Sequence, residues 1–202
     1  MKRITTKYPS KVYIGIDPAS QGAVAVLEGN AVTAVILWKK VQRKKKPMFK
    51  IQYAKDETTC ITKIVQPYGS EIVRTMIELL DFQNKEIHVA IEDAYVGKNR
   101  NIAGTIGLSQ FSGAIAGCIE WNFPTRCHWV KASVWRKQVL NLHPFTKRVE
   151  AKRASLKYIP LLLKGLDVIL KLLGEYDHIT DAVGVALWLQ QKTRSSLNTK
   201  RR

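Results

Sequence analysis

The sequence predicts an α/β fold: a mixed sheet, an antiparallel three-strand meander plus parallel strands, flanked by helices. Three observations predict it. Val12, Ile14 and Ile16 are β-branched and alternate with Tyr13 and Gly15, so residues 12–17 read as a short buried strand. Residues 23–28 and 31–38 are further strand-like runs, joined by Gly29 and Asn30, which tolerate the positive φ of a tight hairpin turn. Beyond them, apolar residues take up helical spacing and alternate with two more short strands, 87–92 and 126–130.

The first strand ends at Asp17, and Pro18 forbids continuation of its hydrogen-bonded ladder. Ser20, Gln21 and Gly22 then make a turn. A carboxylate so held suits a metal-binding or catalytic acid, or serves only as a turn former. Lys39, Lys40 and residues 43–46 form a dense basic cluster, closed by Pro47, which caps a long hairpin or loop before a further strand at 49–53. Its cations repel one another, which favours DNA contact over a merely solvated loop.

Residues 70–80 carry Ile72, Val73, Met76 and Ile77 at helical spacing, with Ser70 as the expected N-cap. The strand at 87–92 again ends in acid, Glu92 and Asp93, and functional groups of α/β sheets gather at strand ends. A basic turn at 98–100 precedes a helix over 101–121 that is rich in glycine: Gly104, Gly107, Gly113 and Gly117. Such residues are costly in a helix, but they allow close approach of another backbone, either the sheet or a second subunit. Ser133 is the expected N-cap of a helix to residue 140 that carries Arg136 and Lys137. A basic helix over 146–158 is expected to break at Pro160, an apolar helix to follow over 161–173, and a buried helix to span 180–190. The tail, 192–202, is basic, polar and expected to be disordered.

A chain of 202 residues suits a single domain with one sizeable core. Its hydrophobic share of 46% and charged share of 24% are those of a globular protein. The charge is less ordinary: 33 Lys and Arg against 16 Asp and Glu leave +17. Such a surplus implies a polyanionic partner, nucleic acid before anionic membrane. No apolar run is long enough to span a bilayer, and the first ten residues lack the apolar core of a signal peptide. Cys60, Cys118 and Cys127 have no CxxC spacing and read as reduced thiols in a cytosol-like compartment.

The acids Asp17, Glu92 and Asp181, with His178, stand out as a constellation. A spacing of three places His178 and Asp181 on one helix face. Mostly oxygen donors of this kind suit one or two Mg²⁺ or Mn²⁺ ions bound jointly with a phosphate, the arrangement that hydrolyses phosphodiesters. Each residue also has a plainer reading: a turn for Asp17, a salt bridge for Glu92, a macrodipole partner for Asp181, an ordinary histidine for His178.

The order strand–Asp, meander, strand–Glu, long helix, then a helix opening acid-x-x-Asp resembles the RuvC family of Holliday-junction resolvases, within the RNase H-like superfamily. Its carriers are Ile14-Gly-Ile-Asp-Pro-Ala-Ser-Gln-Gly-Ala23, Ile91-Glu-Asp-Ala-Tyr-Val-Gly-Lys-Asn99 and His178-Ile-Thr-Asp-Ala-Val-Gly-Val-Ala186. The last is similar to the family's D-A-A-D-A-L-A-I-A, with His178 replacing the first aspartate, which leaves Asp177 as an alternative ligand. The resemblance spans residues 12–190, and the basic insertion at 39–59 and Val134-Trp-Arg-Lys137 resemble the phage and poxvirus-type branches.

The resemblance implies an RNase H-like nuclease, with Asp17, Glu92, His178 and Asp181 as catalytic ligands of Mg²⁺, for which Mn²⁺ substitutes. It implies DNA contacts by Tyr95, which matches a base-stacking aromatic, by Lys98 and Arg100 beside it, and by Lys137 and Lys147. It also implies a homodimer through the helix at 101–121, cutting four-way DNA by paired nicks in the cytosol, that of a bacterial host if phage-encoded, at the nucleoid. Other readings are an RNase H-like nuclease acting on flaps or RNA–DNA hybrids, and a non-catalytic junction-binding protein. An actin-type ATPase would need a second phosphate hairpin and a longer chain.

Overall fold

The structure is a computed structural model that describes residues 10–43, 46–54, 60–79, 82–93, 102–174 and 177–199. Strands β1 (Ser10–Asp17), β2 (Gln21–Glu28), β3 (Ala31–Arg43), β4 (Lys46–Ala54) and β5 (Cys60–Val65) form an antiparallel meander. After α1 (Gly69–Leu79), β6 (Lys85–Glu92) lies parallel to β1. After α2 (Ile102–Asn122), β7 (Cys127–Val130) lies parallel to β6. The result is one seven-stranded mixed sheet, ordered β5-β4-β3-β2-β1-β6-β7. Four helices complete the described chain: α3 (Ala132–Leu140), α4 (Arg148–Leu162), α5 (Leu166–Leu173) and α6 (Asp177–Thr199).

Both faces of the sheet are covered, which is why β1 and β2 are apolar almost throughout. Val12, Ile14, Ile16, Val89 and Ile91 pack with Ile72 and Met76 of α1 and with Ile115 and Ile119 of α2. Tyr13, Ala23, Ala90 and Val130 pack on the opposite side with Trp135, Ile159, Leu170 and the buried stripe of α6. Side chains alternate along a strand. Asp17, in step with Tyr13, and Glu92, in step with Ala90, therefore belong to the face that α6 covers.

Gly15 makes that coverage close. A Cβ at Gly15 would lie 2.0 Å from the Ala182 carbonyl oxygen and 2.4 Å from the Ala186 amide nitrogen. The backbone of α6 thus lies directly on the backbone of β1. On the outer side of α2, Gly104, Gly107, Gly113 and Gly117 meet no other atoms within 4 Å of an added Cβ. Of the two uses expected for these glycines, packing against the sheet is therefore not the one the fold makes of them.

Several expectations need correction. The meander has five strands, because β5 pairs with β4 through residues that are mostly exposed and lack a buried face to mark them. The basic cluster at 39–46 continues β3 and opens β4 as one long hairpin, with Lys44 and Lys45 outside the described residues. Helix α1 begins at Gly69, so Ser70 lies inside it, and Lys131, with extended φ and ψ, takes the N-cap position of α3 that Ser133 was expected to fill. Pro160 sits inside the last turn of α4 without ending it: the helix runs on to Leu162, and the break falls at 163–165, where Leu163 is extended and Gly165 has φ +78°. The tail expected to be disordered continues α6 as helix from Lys192 to Thr199. Among the described residues no helix is long and apolar enough to cross a membrane.

Candidate active site

The site is built at the carboxyl ends of β1 and β6. Ile16 pairs with Ile91, so Asp17 and Glu92 end neighbouring parallel strands at the same level. The turn after Asp17 is fixed from β3: the Trp38 indole donates to the Ala19 carbonyl at 3.1 Å. It also fills the space beside Gly22, where a Cβ would lie 2.4 Å from the Trp38 ring. Asp17 is only 8% exposed.

Helix α6 enters over this edge. His178 lies on the first turn, and its Nδ1 sits 2.6 Å from Asp17 Oδ2. A carboxylate only accepts, so Nδ1 carries the proton, and neutral His178 keeps its lone pair on Nε2. Asp181 follows one turn later, buried, and accepts from Arg136 Nη2 at 2.9 Å. Asp177 is directed elsewhere, into an ion pair with Lys152 of α4. Of the two candidates for the third position, His178 is the one that meets Asp17.

Glu92 is held by α3. The Trp135 indole donates to Glu92 Oε2 at 2.8 Å, and the Arg136 guanidinium lies over the Trp135 ring at 4.9 Å. Trp135 itself rests in a slot that Gly184 of α6 leaves open, since a Cβ there would lie 2.3 Å from the indole. Arg136 Nε is buried without a partner among the described residues. Trp135 and Arg136, consecutive in sequence, thus each hold one of the acids. The residues alone did not single them out for that role.

Burial pushes the Glu92 carboxyl up, and the charges of Asp17 and Asp181 push it further, to about 8. Burial likewise raises Asp181, although Arg136 opposes it. At His178 burial disfavours the imidazolium, but the hydrogen bond and charge of Asp17 outweigh it, and the net shift is upward. All three groups hold a proton more tightly in the folded state than in the unfolded one. Each therefore adds stability that is complete below its unfolded pKa and lost as pH rises through the folded one. For Glu92 that window runs from 4.5 to about 8. The melting temperature in EDTA is expected to fall across this window when measured by calorimetry, and a rising profile would contradict the assigned environment.

Trp135→Phe should isolate the support of Glu92. The ring still fills the slot, but a buried carboxyl loses its donor, at a cost of about 1–3 kcal/mol. Chemical denaturation measures this, and an unchanged midpoint would show that Glu92 does not depend on the indole.

The donors fit a hard divalent cation in chemistry: three carboxylates and an imidazole, with repulsion among the acids that a cation would relieve. Each is engaged meanwhile, Asp17 by His178, Asp181 by Arg136 and Glu92 by Trp135. Among the described residues, no three of His, Cys, Asp and Glu form a ready-made cation cluster. Tyr95, Lys98 and Arg100 lie outside the described residues. Lys137 and Lys147 are exposed and, among the described residues, form no hydrogen bond or ion pair with the three acids and the histidine of the site; they flank the loop between α3 and α4. The chain matches no family model, and comparison with curated proteins gives no match.

Proposed function

We propose that this protein is a metal-dependent, structure-selective endodeoxyribonuclease of RNase H-like fold that resolves Holliday junctions and related branched DNA by paired, symmetric nicks. One observation carries the reading: Asp17 and Glu92 end adjacent parallel strands beneath α6, which brings His178 and Asp181 to the same edge. An acidic edge inside a chain of charge +17 has a clear use. The basic surface captures the phosphate backbone, and the acids hold cations instead of repelling it.

Asp17, Glu92, Asp181 and His178 would hold Mg²⁺, with Mn²⁺ able to replace it. Bound there, the cations supply an activated water and stabilise the leaving oxygen. The chain's own residues set the stage: Trp38 fixes the turn behind Asp17, Trp135 orients Glu92, and Asp17 fixes the tautomer of His178. Arg136 counters the charge of Asp181. A twofold dimer through α2 would present two such sites to two matching strands, and the open glycines with half-exposed Ile106 offer the face for it. Within the same fold, a nuclease cutting flaps or RNA–DNA hybrids would use the same four ligands without needing that dimer. Cleavage of a four-way junction in Mg²⁺, compared with EDTA, tests the reading.

A further inference from the structure

We propose that Phe145 stacks on an unpaired or unstacked DNA base beside the cut strand; the inference rests on the nuclease reading above. Phe145 is 88% exposed, in the loop between α3 and α4. An aromatic ring so exposed has almost no packing role in the chain that bears it. Its only described ring neighbour is His143, at 5.4 Å and inclined by 46°.

The loop is nonetheless well defined. The Phe145 amide donates to His143 Nδ1 at 3.3 Å, and the Thr146 amide and hydroxyl donate to the His143 carbonyl at 2.9 and 2.7 Å. Asn141, in the left-handed conformation, ends α3 just before it. A ring held out by a hydrogen-bonded turn loses little freedom on stacking.

Position and charge identify the partner. Both helices that bound the loop reach the acidic edge: α3 through Arg136 on Asp181, and α4 through Lys152, which pairs with Asp177 at the start of α6 and whose charge acts on His178 and Asp181. The loop that bears Phe145 therefore joins two helices that both reach that edge. Beside Arg136 and Lys152, which pair with acids, residues 136–153 carry the exposed cations Lys137, Lys147, Arg148 and Arg153 against the single acid Glu150. Cations that track a phosphate backbone around a free aromatic ring are the two components of single-strand recognition. Exposed Trp121, at the end of α2, has no comparable tie to the site.

The test uses the full chain and a four-way junction with 2-aminopurine beside the cut, in Ca²⁺ to allow binding without cleavage. Wild type should change the probe's emission. Phe145→Ala should lose that change and bind the junction about tenfold more weakly, with duplex affinity and melting temperature unaltered. Phe145→Trp should restore both. If wild type prefers the junction and Phe145→Ala matches it in affinity and emission, the stacking contact is overturned while the nuclease reading stands. If Phe145→Ala instead disrupts only self-association, the ring is a protein contact and the proposal is overturned. If wild type does not distinguish junction from duplex, the junction reading falls and this inference with it.

Discussion

Asp17→Asn is expected to abolish metal-dependent cutting of a four-way junction, by at least a thousandfold, while leaving junction affinity nearly unchanged. The magnitude follows from losing a charged ligand: cation stabilisation is worth several kcal/mol, and each 1.4 kcal/mol is about tenfold in rate. The amide oxygen of asparagine can still accept from His178 Nδ1, so the link between β1 and α6 survives. One of the charges that raise Glu92 is also removed, so no new buried repulsion appears. On the proposed function, affinity would reside in the lysines and arginines of the surface, which the substitution leaves alone. Single-turnover cleavage and gel-shift titration measure the two quantities separately. Simultaneous loss of binding and cutting would assign Asp17 a structural role instead.

Gly15→Val should have the largest effect on folding. The new Cβ would lie 2.0 Å from a backbone oxygen of α6 and 2.4 Å from a backbone nitrogen. Neither can move aside without lifting the helix from β1 and carrying His178 and Asp181 away from Asp17. Losses from such overpacking fall at the severe end of single substitutions, about 4–5 kcal/mol, comparable with the whole stability of many domains. The expected product is insoluble or unfolded, as judged by circular dichroism and denaturant titration. Gly113→Ala provides the contrast: its Cβ would meet open space, and alanine favours helix by about 1 kcal/mol, so the isolated chain should gain stability. A soluble, normally folded Gly15→Val would refute the close approach of α6 to β1.

The frame of the site was legible because its cues are local. β-Branched alternation with a proline stop marked the end of β1, and a similar apolar run ending in acid marked β6. The hairpin at Gly29 was equally plain, and its φ of +61° is the conformation expected of such a turn. What escaped depends on distant partners. Nothing near Trp135 indicates that its indole reaches Glu92, 43 residues away in sequence. Nor does anything near Gly184 indicate that it leaves room for that indole. Gly15 looked like an alternation residue in a strand, although what demands glycine there is a helix more than 160 residues downstream. β5 was missed because an exposed edge strand needs no buried stripe. The end of α6 was misjudged because a polar segment can extend a helix already nucleated by its buried part.

The central claim is best tested by cleavage of a labelled synthetic four-way junction beside matched duplex, flap and RNA–DNA hybrid, each in Mg²⁺, Mn²⁺ and EDTA. The predicted result is paired, symmetric nicking of the junction with either metal, none in EDTA, and little cutting of the other substrates. Preferential cutting of flap or hybrid would retain the site and replace the substrate. Tight junction binding with no cutting in either metal would contradict the enzyme reading and identify a junction-binding protein.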